Sequence, residues 1–183
     1  MVYVLLADGF EEIEALAPVD FLRRANVQVA TVSLGSASVC GAHSITVTAD
    51  AILSEVDFSD AEMIVLPGGM PGTSNLDQCP QMTEILASVY DRGGVLAAIC
   101  AAPMVLGKRG YLDGKEAVCY DGFENFLYGA TLSEQGVVVD GRIITAKSAG
   151  FAWEFGYRLA EVFVGKDRCE MIRKNLFLPP FGV

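Results

Sequence analysis

The sequence predicts an α/β domain in which a mostly parallel sheet is covered by helices on both faces. Three observations point there. Short continuous apolar runs at Val2–Ala7, Met63–Leu66 and Val95–Ile99 have the composition of strands buried on both faces. Helix-forming segments alternate with them. No repeat, linker or low-complexity stretch interrupts the 183 residues, a length that suits one domain over 1–183.

The first strand, Val2–Ala7, leads through Asp8-Gly9 into a helix from Phe10 to about Ala25, rich in Glu, Leu, Ala and Arg. Pro18 inside that helix conflicts with it, because proline removes a backbone donor. Val27–Leu34 reads as the second strand and Ser44–Thr48 as a short third. Met63–Leu66 ends at Pro67-Gly68-Gly69. Gln81–Tyr90 is helical and closes at Arg92-Gly93-Gly94, as glycine C-caps do. Val95–Ile99 runs into Cys100 and then a helix with Pro103 in its first turn. Val137–Val139 and Arg142–Thr145, joined by Asp140-Gly141, carry the strongest hairpin signal. Phe151–Val164 and Asp167–Asn175 read as closing helices, and the apolar segment Leu176–Val183 is expected to dock on the body or on a neighbour. Sites in open parallel sheets lie beyond the carboxyl ends of the strands. Asp8-Gly9, Pro67-Gly68-Gly69 and Cys100 all qualify.

Composition narrows the function. About 52% of residues are apolar, enough for a core without disulfides or a structural metal. The formal charge is −10, from 23 acidic and 13 basic residues, which argues against a nucleic-acid partner. The opening apolar run is too short for a secretory signal, and no stretch approaches the roughly 20 apolar residues of a membrane span. A cytoplasmic protein with no membrane contact is expected. The five cysteines, Cys40, Cys79, Cys100, Cys119 and Cys169, form no C-x-x-C pair, and His43 is the sole histidine. Neither a disulfide framework nor a metal centre follows, and no cofactor is expected. Thiol chemistry at one position is the better prospect.

Cys100 is the candidate. Ala98, Ala101 and Ala102 are small, as a crowded strand-to-helix turn requires. A thiol there faces free N–H groups at a helix N-terminus, which favour the thiolate and hold an oxyanion or a sulfinate. The same spacing also fits a buried core cysteine. Cys40 and Cys119 are secondary candidates for oxidation. Along the first helix, Phe10, Ile13, Glu14, Ala17 and Phe21 share a stripe. Glu14 therefore projects from an apolar face, where a carboxyl holds its proton more tightly, while Glu11 and Glu12 turn away. The alternative is a stripe-edge glutamate that reaches water. Leu16 and Val19 lie on the other side and suggest a subunit contact.

Four segments, ADGFEEIEALAPVDFLRRA, IVLPGGMPGTSNL, LAAICAAP and ITAKSAGFAWEFGYRLAEVFVG, together resemble the ThiJ/PfpI superfamily, in its branch of protein deglycases and redox sensors linked to parkinsonism. The resemblance implies a flavodoxin-like, class I glutamine amidotransferase-like three-layer sandwich, usually a homodimer. It places Cys100 at the reactive cysteine, Glu14 at its protonated partner, Gly69 and Ala101 at the oxyanion-hole N–H groups, and Gly68 and Tyr120 along the site. It further implies glyoxalase- or deglycase-like chemistry on small reactive carbonyls, or oxidative-stress sensing and chaperone behaviour through a Cys100 sulfinate. A peptidase or amidase is disfavoured because Ala101 stands where a peptidase-like branch has histidine, and His43 is read as a plain loop residue. Thiazole phosphate biosynthesis, an older label for the superfamily, finds no phosphate-cradling motif here.

Overall fold

The computed structural model describes residues 1–181. Its strands are β1 (Val2–Leu6), β2 (Val29–Ser33), β3 (Ser38–Cys40), β4 (Thr46–Thr48), β5 (Ala51–Ile52), β6 (Met63–Leu66), β7 (Val95–Ile99), β8 (Glu116–Ala117), β9 (Thr131–Leu132), β10 (Val137–Asp140) and β11 (Ile143–Ala146). Its helices are α1 (Glu12–Arg24), α2 (Gly72–Gln78), α3 (Met82–Asp91), α4 (Pro103–Gly107) and α5 (Ala152–Asn175). Seven strands form the main sheet in the order β10-β11-β7-β6-β1-β2-β5. All its pairings are parallel except the β10–β11 hairpin. Chain order reverses between β1 and β6, the flavodoxin-like switch point beside which ligands bind in open α/β sheets.

Alternation along the strands divides the core in two. Val2, Val4 and Leu6 of β1 face a layer containing Phe21 of α1 and Phe155 of α5. Tyr3 and Leu5 face the opposite layer, with Leu76 of α2, Leu86 of α3 and Val105 of α4. The sheet is thus buried on both sides, which explains why its central strands read as unbroken apolar runs. α1 packs tightly on α5, where a Cβ on Gly156 would come within 2.9 Å of the Pro18 Cα. Pro18 is buried in that contact, and α1 continues through it.

Several expectations are corrected. The buried face of α1 is broader than one stripe, because the sheet, α5 and the β3–β4 hairpin all cover it. Ile13, placed on the stripe, is 53% exposed, whereas Val19, placed opposite, is buried. Glu12, expected to turn away, is 4% exposed beneath the hairpin. Elements without a counterpart in the sequence-based expectation include α2 directly after the glycine-rich turn, β3 ahead of the short β4, and the two-residue strands β5 and β9. α5 reads as one helix, yet Gly165 breaks it with φ 75°, between the two closing helices the sequence predicts. Of the C-terminal segment, Leu176, Leu178 and Phe181 pack on the core. Arg173 donates to the Leu178 carbonyl at 2.6 Å. Residues 182 and 183 lie outside the described residues. No helix among those described is long and apolar enough to cross a membrane.

Candidate active site

β1, β6 and β7 lie side by side, so their carboxyl ends bring Asp8-Gly9, Pro67-Gly68-Gly69 and Cys100 to one edge. Cys100 closes β7 with φ 65°, a left-handed conformation that costs a non-glycine residue of order 1–3 kcal/mol. The backbone holds it there from both sides. The Cys100 N–H donates to the Ala146 carbonyl at 2.9 Å, and the Cys100 carbonyl accepts from the Tyr120 N–H at 2.8 Å. The turn lifts a half-buried thiol toward the N–H groups of Gly69 and Ala101.

Glu14 approaches from α1 and is 1% exposed. Its Oε2 accepts from the Gly68 N–H at 3.0 Å, and its carboxyl also meets the Ala149 N–H and the Cys100 thiol. Gly68 sits between the two reactive groups with no space for a side chain. A Cβ there would lie 2.5 Å from Glu14 Oε2 and 2.6 Å from the Cys100 Cβ. Gly69, with φ 88°, has no room for a Cβ against the backbone of Gly9, Phe10 and Glu11, and its N–H donates to the Cys100 sulfur.

The electrostatics differ from the sequence-based expectation of a thiolate favoured by a helix dipole. Burial, reinforced by the neighbouring Glu14 carboxyl, pushes the Cys100 thiol up to about 12, while the Gly69 and Ala101 N–H groups pull it down. The helix concerned, α4, has only 5 residues and its N-cap is Ala102, so its dipole is small. Burial likewise raises Glu14 to about 7, against the pull of its hydrogen bonds to Cys100, Gly68 and Ala149, and with Glu11 adding to the rise. The pair therefore titrates as a unit, and between these two steps a single proton is shared by carboxyl and sulfur. With the proton on Glu14, the carboxyl donates to a thiolate. With it on sulfur, a carboxylate faces a thiol.

Gly68, Gly69, Ala101, Glu14 and Cys100 thus converge. Tyr120 reaches the cluster through its backbone, while its side chain is half exposed. Cys119 and Cys169 are buried, Cys40 is exposed on β3, and all five cysteines are free. Two contributors escaped the sequence reading. Glu11 is the N-cap of α1, and its Oε2 accepts from the Glu14 N–H at 2.7 Å. Ala149 supplies a donor to the Glu14 carboxyl. An acidic residue just ahead of a helix is a capping signal that could have singled out Glu11. A bare N–H of alanine leaves no mark in a sequence.

A model of the DJ-1/PfpI family matches residues 1–162. The chain belongs to the DJ-1/PfpI family. Among its relatives, the protein dj-1beta of Drosophila melanogaster is 34% identical over 181 residues, covering 96% of this chain and 95% of that protein. The glutathione-independent glyoxalase DJR-1.2 of Caenorhabditis elegans is 31% identical over 176 residues, covering 96% and 94%. The solved structure of oxidized Toxoplasma gondii DJ-1 superposes with a TM-score of 0.93 at 33% identity and covers 98% of both chains. The DJ-1/PfpI assignment agrees with the four sequence segments and with the flavodoxin-like sandwich.

Proposed function

We propose that the protein acts as a cysteine-dependent protective enzyme that converts small 2-oxoaldehydes, and their early adducts on amines or thiols, to hydroxy acids. The observation that carries this reading is the thiol of Cys100, set in a left-handed turn against two backbone N–H groups and one buried carboxyl of raised pKa. A relative bearing the name of a glutathione-independent glyoxalase supports the same reaction class.

An early adduct first returns to the aldehyde by releasing its amine or thiol; with the shared proton on Glu14, the Cys100 thiolate then attacks the aldehyde carbon. The S–C bond forms, the carbonyl oxygen becomes an oxyanion, and the Gly69 and Ala101 N–H groups stabilise it. Glu14 donates its proton to that oxygen and gives a hemithioacetal. The carboxylate then takes the C1 hydrogen as a proton and returns one to C2 through an enediol, while the C1 hydroxyl proton passes to the C2 oxygen. C1 is thereby oxidised to the thioester level and C2 reduced to a hydroxyl, with no external oxidant. Water cleaves the thioester, releases the hydroxy acid and restores the thiol. Gly68 keeps nucleophile and acid in contact. Tyr120 lines the entrance.

The chain works in this reading as one domain, and as a homodimer. The exposed apolar side chains of Ile13, Leu16 and Ile45 border a shallow depression with Ala17 and Trp153, and a second copy would cover it. Five free cysteines suit the reducing cytoplasm.

Lactate formation from methylglyoxal by wild type, Cys100→Ala and Glu14→Gln tests the proposal. Turnover by wild type, lost in both variants, supports it, and equal turnover in all three overturns it. The second reading, an oxidation sensor, uses the same thiolate: two peroxide molecules would each deliver one oxygen and leave as water, giving a sulfinate. A relative of this fold, the DJ-1 of Toxoplasma gondii, has been solved in an oxidized form, which favours keeping that reading. Absence of turnover together with a gain of two oxygens at Cys100 would select it.

A further inference from the structure

The hairpin joining β3 and β4 is stitched to the first turn of α1 by contacts that the proposed chemistry does not use. The Ala42 N–H donates to the Phe10 carbonyl at 2.8 Å. The buried Glu12 carboxylate accepts from the His43 N–H at 2.8 Å, meets His43 Nδ1 at 2.7 Å and accepts from the Ile45 N–H at 3.4 Å. His43 Nδ1 also stands 3.9 Å from Glu11 Oε1, and Glu11 is the residue that caps the Glu14 N–H. A chain of polar contacts thus runs from the histidine ring to the backbone of Glu14.

The geometry points to His43 as a positioning residue that acts through Glu12 and Glu11, so that its positive charge eases the loss of the proton from the Glu14–Cys100 pair and sets when the thiol becomes reactive. This inference rests on the reading of that pair given above. The groups that face each member are few. Toward His43 they are Glu12 and Glu11 of α1; the Cys40 thiol on β3 turns to the Gly41 carbonyl instead. Toward Glu14 they are Glu11 from its own helix, Cys100 from the turn, and the N–H groups of Gly68 and Ala149. Glu12 raises the pKa of the His43 ring. Burial pushes the Glu12 carboxyl up, but the His43 ring and the backbone donors outweigh it and hold it ionised. The ring therefore holds its proton more tightly than a free imidazole does. Its charge offsets Glu11, which otherwise raises Glu14.

The test is the pH profile of Cys100 alkylation by iodoacetamide, which requires no turnover. Wild type, His43→Gln, His43→Arg, Glu14→Gln and the double variant His43→Gln/Glu14→Gln are compared. His43 is exposed, so its substitution leaves the core intact, and thermal melting checks this. His43→Gln is expected to move the midpoint up by about half a pH unit, roughly threefold in rate below it, the size of one screened charge nearby. His43→Arg, charged throughout, does not raise the midpoint. In the Glu14→Gln background His43→Gln changes nothing. An unmoved or lowered midpoint in His43→Gln overturns the inference while leaving the site reading intact. A shift that persists without Glu14 also overturns it. A wild-type profile identical to that of Glu14→Gln overturns both.

Discussion

The Gly68 N–H donates to Glu14 Oε2 over 3.0 Å, and the same glycine leaves no gap between that carboxyl and the Cys100 side chain. The donor fixes the orientation of the acid. The missing side chain permits its contact with sulfur.

Gly68→Ala follows directly. The new methyl would meet Glu14 Oε2, the Cys100 Cβ and the Ile99 carbonyl, and the last of these is backbone that cannot swing aside. Stability should fall by about 1–3 kcal/mol, the usual cost of overpacking, and lactate formation from methylglyoxal by about 100-fold or more, as for a misplaced reacting group. Urea denaturation and steady-state kinetics measure the two effects.

Cys100 sits at φ 65°, which glycine adopts freely and alanine does not. Cys100→Ala and Cys100→Gly should both abolish turnover. Cys100→Gly should nevertheless be the more stable of the two by about 1 kcal/mol, because it alone relieves the turn. Denaturation midpoints of the two inactive proteins read this out, and a more stable alanine variant would contradict the strain.

Alkylation of Cys100 should rise as pH passes through about 7, the step at which burial lets Glu14 and its partner release the first proton. Glu14→Gln should erase that rise. Stability moves the other way. Glu14 binds its proton more tightly folded than unfolded, so its contribution is complete below about 4.5 and is lost as pH climbs through about 7. Glu14→Gln should therefore flatten the decline in stability between these values.

Ile13→Glu or Leu16→Glu should convert the proposed homodimer to monomer in sedimentation velocity. These side chains are exposed in the single chain, so neither substitution should unfold it, and a sedimentation coefficient unchanged by either would argue that this face is not the contact.

The architecture was legible because three strands are buried on both faces, which writes them as uninterrupted apolar runs. Cys100 was legible through its small neighbours, and Glu14 through its place on an apolar stripe. The buried face of α1 is wider than that stripe. Helical periodicity assumes one covering surface, whereas α1 has three, so Val19 and Glu12 are buried against expectation. Glu12 and His43 are far apart in sequence, and nothing local signals that a loop will fold back to satisfy a carboxylate. The thiol's electrostatics were also out of reach, since they follow from burial and from the brevity of α4. Neither is marked by a residue type.

The hydrogen bond from Cys100 to the Ala146 carbonyl has a consequence for biosynthesis. The elbow is closed by the last strand of the sheet to be made, and Glu14 finds its Ala149 donor in the segment just after it. A nascent chain still lacking β11 would carry the cysteine and the glutamate without the scaffold that turns one toward the other. Long-range pairings of this kind form late, so the sulfur would acquire its activated setting only once the chain through Ala149 is in place, sparing the emerging chain a premature reactive centre.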